Sequence, residues 1–142
     1  MADQDRSPPY AGGCLCGQVR YLATAPSLNT RICHCRACQK ATGSAFYARA
    51  MFPKDAVAIE GRTARYRSSE RLWRHFCPDC GTPVFAEPLD MPDRLAVTLA
   101  TLDEPDAIKP QMHVWTSSRI DWLKLDDGLP QYPQGAPAQA AI

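Results

Sequence analysis

The stretch that decides the fold is Cys33-His34-Cys35-Arg36-Ala37-Cys38, three thiols within six residues. A soluble core has no use for sulfur at that density. Cys35 and Cys38 have the C-x-x-C spacing that lets one backbone turn aim two sulfurs at a single metal. Cys33 stands two residues earlier, so an extended segment puts its side chain on the same side as that of Cys35. Working outward, the other cysteines form two more short-spaced pairs, Cys14/Cys16 and Cys77/Cys80. Seven thiols thus divide as four plus three. Four thiolates close a tetrahedral zinc site, whereas three leave one position for water or substrate.

The bulk numbers frame that reading. A chain of 142 residues predicts one domain. Thirteen prolines and eight glycines predict many turns and short strands, with little helix. No apolar run approaches the roughly 20 residues of a membrane span, so no membrane partner is expected. The N-terminal MADQDRSPPY has no apolar segment, and it is read as carrying no export signal. A cytoplasmic location follows as an expectation, and there clustered thiols stay reduced and serve metal or redox chemistry more often than disulfides. The odd cysteine count also argues against complete disulfide pairing.

Charge is unevenly spread. Residues 1–75 hold 12 Lys/Arg and 5 Asp/Glu, whereas residues 76–142 hold 4 and 10. The densest basic run, Arg62, Arg65, Arg67, Arg71 and Arg74, raises nucleic-acid binding as a question. Solvated strand faces are the simpler reading, and no nucleic-acid partner is expected.

Taken in order, residues 1–9 read as a disordered tail, 10–127 as the folded zinc domain and 128–142 as a flexible tail rich in Pro, Gly, Ala and Gln. Residues 12–17 (GGCLCG) read as a tight turn carrying the first cysteine pair. Strands are predicted over 18–24, 28–33, 44–52, 57–60, 63–67, 72–77, 83–86, 94–101 and 111–115. One or two helical turns are predicted over 36–42, stopped by Gly43. Ser117 or Ser118 is placed to cap a short helix through Leu123. Cys77-Pro78-Asp79-Cys80-Gly81 reads as a second knuckle, with Gly81 for the positive φ such a turn needs. The fold class is mainly β and antiparallel.

Spacing leaves two ways to share the thiols. Cys35/Cys38 can join Cys77/Cys80, leaving Cys14, Cys16 and Cys33. Alternatively Cys14/Cys16 joins Cys77/Cys80, leaving Cys33, Cys35 and Cys38 as a local site. The second is preferred, because three ligands on one segment need little loop closure. The distant pairs then staple a small domain whose core is modest.

GGCLCGQVRY, then CHCRACQKATGSAF, then FCPDCGTPVF and a late HVW…DWLKLDDGLP together resemble the glutathione-dependent formaldehyde-activating enzyme family, also known as the centromere-protein-V-like domain. The likeness runs from about Gly12 to Pro130. It implies an Mss4-like antiparallel β fold with zinc knuckles. It implies two zinc ions: a structural one held by Cys14, Cys16, Cys77 and Cys80, and a catalytic one held by Cys33, Cys35 and Cys38. It also implies carbon–sulfur lyase chemistry on an adduct of a small, glutathione-like thiol and an aldehyde such as formaldehyde. The partners implied are therefore a small-molecule thiol and aldehyde.

Zinc with three thiolates and an open position lowers the pKa of a bound thiol or polarises an aldehyde oxygen. Arg36, Lys40 and Arg49 lie near enough in sequence to offset the excess negative charge of such a site. His34, between two ligands, points away from them if the segment is extended. His75 and His113 read as strand residues; His113, Trp115 and Trp122 are candidate pocket residues, with the tryptophans otherwise in the core. One of Phe46 and Tyr47 is expected to face the open site. The rival function is a non-catalytic, zinc-stabilised interaction module, which would be expected to close both metal sites.

Overall fold

Short runs of alternating polarity, bounded by glycine and proline, become ten strands among residues 6–137, the part of the chain that the computed structural model describes. They are β1 (Tyr10–Gly13), β2 (Arg20–Ala23), β3 (Asn29–Cys33), β4 (Tyr47–Pro53), β5 (Val57–Glu60), β6 (Ala64–Ser69), β7 (Leu72–Phe76), β8 (Pro83–Pro88), β9 (Arg94–Thr98) and β10 (Met112–Val114). One helix, α1 (Arg36–Thr42), follows β3. A three-stranded sheet runs β1-β2-β5, and a seven-stranded sheet runs β10-β3-β4-β9-β8-β7-β6. All pairings between these strands are antiparallel except that of β10 with β3.

The period of two divides the large sheet into two working faces. From one face Ala50, Phe52, Leu95 and Val97 pack against Tyr10, Tyr21 and Ala23 of the small sheet, with Val19, Leu99, Leu102 and Ile108 filling in. Met51, Ala86 and Ala96 form a smaller apolar cluster. Met51 lies one residue from both Ala50 and Phe52, so it points to the opposite face. That second face also carries Arg31 and Cys33 of β3 and Tyr47 and Arg49 of β4, which meet around a common cavity.

Two glycines are needed where they stand. Gly43 ends α1 at φ 66°, and its N–H bonds the carbonyl of Gln39. Gly61, at φ 97°, closes the β5–β6 turn so tightly that a Cβ would lie 2.1 Å from the carbonyl oxygen of Gln18.

Three expectations change. Residues 12 and 13 belong to β1 and pair with β2, so the turn at the first cysteine pair starts at residue 14. The strand expected over 94–101 stops at Thr98 and turns through a 3-10 segment, Leu99–Thr101. There the Thr101 hydroxyl bonds the Thr98 carbonyl and the Tyr21 hydroxyl, each at 2.7 Å, an alternative to the ladder that sequence periodicity does not register. The helix expected from Ser117 through Leu123 is only a 3-10 turn, Thr116–Ser118. Trp122 is 69% exposed, and Ile120 and Leu123 are only half-buried, so the segment has little apolar contact to hold a helix against the core.

Of the tail read over 1–9, residues 1–5 lie outside the described residues, and Arg6 bonds the carbonyl of Ala107 through its backbone N–H. Of the tail read over 128–142, residues 138–142 lie outside them. Residues 130–134 run beside β10 and the turn after it, through bonds from His113 N to Pro130 O, Tyr132 N to His113 O and Trp115 N to Gln134 O.

Candidate active site

The cysteine sulfurs fall into two groups, Cys14/Cys16/Cys77/Cys80 and Cys33/Cys35/Cys38, with the ligand atoms of each group within 4.8 Å of one another. None is in a disulfide. A tetrahedron with zinc–sulfur arms of about 2.3 Å has sulfur–sulfur edges of about 3.8 Å. The Cys14–Cys16 and Cys16–Cys77 separations are 3.7 and 3.8 Å. Both sets therefore have the donor chemistry for zinc, and the four-thiol set has its edge length as well.

The four-thiol group joins the β1–β2 loop to the β7–β8 loop. Local donors orient its sulfurs: Val19 N–H to Cys14 at 3.2 Å, and the Gln18 side-chain amide to Cys77 at 3.3 Å. The Thr82 hydroxyl lies 3.2 Å from Cys80. That hydroxyl leads the backbone N–H groups in pulling the Cys80 thiol down to about 5. Thr82 also accepts from Leu15 N–H at 3.0 Å, so one side chain bridges the two loops.

The three-thiol group is built by the end of β3 and the start of α1. Cys35 is the N-cap of the helix, its sulfur accepting from Cys38 N–H at 3.3 Å. The buried Gln39 ties this turn down, donating to His34 O at 2.8 Å and Ser118 O at 3.0 Å. Cys38 is held down to about 5, chiefly by the hydrogen bond from Cys33, against the opposing effect of burial and with help from Arg74. Arg74 Nη2 is 3.4 Å from Cys38 Sγ, and Arg74 itself is buried.

His34 is fully buried on the other face of the β3 end. Its Nε2 is 2.8 Å from His113 Nδ1, and His113 Nε2 is 2.7 Å from Asp127 Oδ2. The chain of acceptors decides the tautomers of two neutral rings: His113 donates to the carboxylate, so His34 must donate to His113. The Nδ1 of His34 is then a buried lone pair without a partner. Burial first, and the neighbouring His113 second, bring this imidazole down to about 4.

A cavity of about 250 Å³ opens beside the three-thiol cluster, bounded by Cys33, Cys38, Tyr47, Met51, Trp115 and the arginines 31, 49 and 74. Trp115 takes a left-handed backbone, φ 58°, that a bulky residue rarely adopts. Its N–H bond to Gln134 O at 2.9 Å helps to hold that conformation.

The residues expected around the site sort as follows. Tyr47 lines the cavity, whereas Phe46 lies beside His34 with ring centroids 5.8 Å apart. Trp115 lines it and Trp122 does not. His113 serves His34 on the far face. His75 bonds Glu87 Oε2 at 2.5 Å and Thr63 Oγ1 at 3.0 Å. Of the three expected cations, Arg49 reaches the cavity, while Arg36 and Lys40 are exposed. Arg31 and Arg74 were not expected. Arg31 is findable by parity, two residues before Cys33 on the same strand face; Arg74 arrives from β7, and no local pattern announces it.

A family model described as glutathione-dependent formaldehyde-activating enzyme matches residues 9–118. The chain is 32% identical to an uncharacterized lyase of Schizosaccharomyces pombe over 55% of this chain and 57% of that protein. It is 29% identical to a Penicillium rubens protein provisionally named as a glutathione-dependent formaldehyde-activating enzyme, over 81% of this chain and 66% of that one. The chain thus spans between about half and two thirds of these relatives. The crystal structure of a Rhodobacter sphaeroides protein superposes with a TM-score of 0.58 at 20% identity, covering 86% of this chain and 98% of that one, a likeness of fold.

Proposed function

This chain belongs to the glutathione-dependent formaldehyde-activating enzyme family, and on that premise we propose that it is a zinc-dependent carbon–sulfur lyase that makes or breaks the adduct of a small thiol and an aldehyde. The observation that carries the reading is the unequal division of the thiols: a group of four, and a group of three beside a cavity. Cys14, Cys16, Cys77 and Cys80 would hold a structural zinc, and Cys33, Cys35 and Cys38 a second one with a free position. A zinc bound at the second site would supply thiol activation or polarisation of the aldehyde oxygen.

In the forward direction the S–H bond breaks, a carbon–sulfur bond forms at the carbonyl carbon, and the proton ends on the carbonyl oxygen. The residues divide that work. Arg74 donates to Cys38 Sγ and draws charge from the thiolate set, which counters its excess negative charge. Tyr47 lines the cavity, and burial keeps its pKa above the usual phenol value, so it stays protonated and is the residue we assign as donor to the developing alkoxide. Met51 and Trp115 add apolar wall to the cavity.

A panel of thiols and aldehydes, including glutathione and formaldehyde, followed by NMR for adduct exchange, tests the reading. Exchange accelerated by zinc-loaded protein and lost in Cys38→Ser is the expected result. Two zincs per chain, with added thiol perturbing neither, would instead favour an interaction module.

A further inference from the structure

Arg31 and Arg49 stand directly opposite each other on β3 and β4, which places two like charges side by side on one sheet face. Such a pairing is destabilising on an open sheet and more so when desolvated. Both line the cavity beside the three thiols, and Arg74 makes a third guanidinium on the same wall. No carboxylate lines the cavity among the described residues, and none of their ion pairs involves these three arginines. Arg49 donates to Asn29 Oδ1, a neutral acceptor. Arg31 Nε is buried with no hydrogen-bond partner. Burial first, then Arg31, bring the Arg49 guanidinium down to about 10.

A divalent metal with three thiolates carries a single negative charge, and Arg74 already answers it by contact with Cys38. Arg31 and Arg49 therefore remain on the cavity wall with no ion-pair partner among the described residues. A planar, bidentate anion is what two adjacent guanidiniums bind best. The volume narrows the choice further. At about 250 Å³ the cavity lies below the roughly 300–1,000 Å³ that encloses drug-sized ligands.

We propose that Arg31 and Arg49 select a small substrate that carries a carboxylate within a few bonds of its reacting sulfur or carbon: a short thiol acid or an oxo acid. The proposal rests on the thiol–aldehyde reading of the site and specifies its substrate class. A thiol as large as a tripeptide would extend out of the cavity, with only its acid group or its sulfur end inside.

Matched probes test this. Zinc-loaded protein is titrated by calorimetry with 3-mercaptopropionate, 2-mercaptoethanol and cysteamine, short thiols bearing a carboxylate, a hydroxyl and an ammonium. In parallel, glyoxylate is compared with acetaldehyde. The acid member of at least one series is expected to bind about tenfold or more tighter than its neutral analogue, and the series that shows this says whether the acid sits on the thiol or on the aldehyde. In Arg31→Gln the preference should fall below about threefold with zinc content unchanged, and the unliganded variant should melt higher than wild type. Arg49→Gln serves as the second variant if Arg31→Gln does not fold. No acid preference in wild type, or a preference surviving in a folded variant, overturns the proposal. Acid-selective binding without adduct exchange would sink the enzymatic reading only; adduct exchange without acid selectivity would sink this one only.

Discussion

His34 sits in the sequence between two cysteines and in the structure between two jobs. Its backbone carries Cys33 and Cys35 outward, while its ring is locked behind them to His113 and Asp127. With an ordinary pKa of about 6.5 when unfolded and about 4 when folded, the ring takes up a proton earlier in the unfolded chain. Its contribution to stability is complete above about pH 6.5 and is lost as pH falls toward 4. Urea midpoints at pH 7.5 and 5.0 should therefore drop more in wild type than in His34→Gln. Acid also protonates the thiolates in both proteins, so the difference between them is what reads the histidine. Equal drops would reject the account. Tyr47 provides the other test at this scale: Tyr47→Phe should lower adduct exchange by about a hundredfold, as loss of an oxyanion donor does, with zinc content unchanged. A variant with wild-type exchange rates removes Tyr47 from the chemistry.

Between elements, the two thiol groups do unequal work. The four-thiol group spans 61 residues from Cys16 to Cys77, and a metal held there would fasten the β1–β2 loop to the β7–β8 loop, hence the small sheet to the large one. The three-thiol group lies within six residues that β3 pairing and the α1 cap already position. Zinc binding in small domains is folding free energy of about 10 kcal/mol or more, and it matters most where it replaces a long loop closure. Cys80→Ser should therefore lose its cooperative melt. Cys38→Ser should keep the far-UV circular dichroism of wild type, with one zinc fewer and no adduct exchange. If Cys38→Ser unfolds while Cys80→Ser does not, the roles are exchanged.

For the molecule as a whole, the same asymmetry predicts a two-step response to a chelator. One zinc should leave first with circular dichroism unchanged, and loss of the second should coincide with loss of strand signal. Simultaneous release would mean the sites are energetically linked. The arginine run at 62–74 also resolves only at this scale. Arg74 turns inward to Cys38, Arg65 and Arg67 lie over Trp73, Arg65 reaches Glu87, and Arg62 pairs with Asp79. Among the described residues no helix is long and apolar enough to cross a membrane.

Cysteine spacing, strand parity and glycine placement are local properties, and they were legible in the sequence by itself. They carried the β class, the helix stopped at Gly43, the second knuckle and the thiol grouping that loop closure favours, since each depends on residues a few positions apart. Family likeness in the cysteine motifs supplied the chemistry to expect. Tertiary structure decided the rest, because it depends on which strands become neighbours. Pairing of β3 with β4 sets Arg31 against Arg49, and the parallel β10 brings His113 to His34. The path of β7 through the far half of the large sheet delivers Arg74 to Cys38. Arg74 meets Cys38 across 36 positions and His113 meets His34 across 79, both through sheet order, and sheet order leaves no trace in the spacing of residues along the chain.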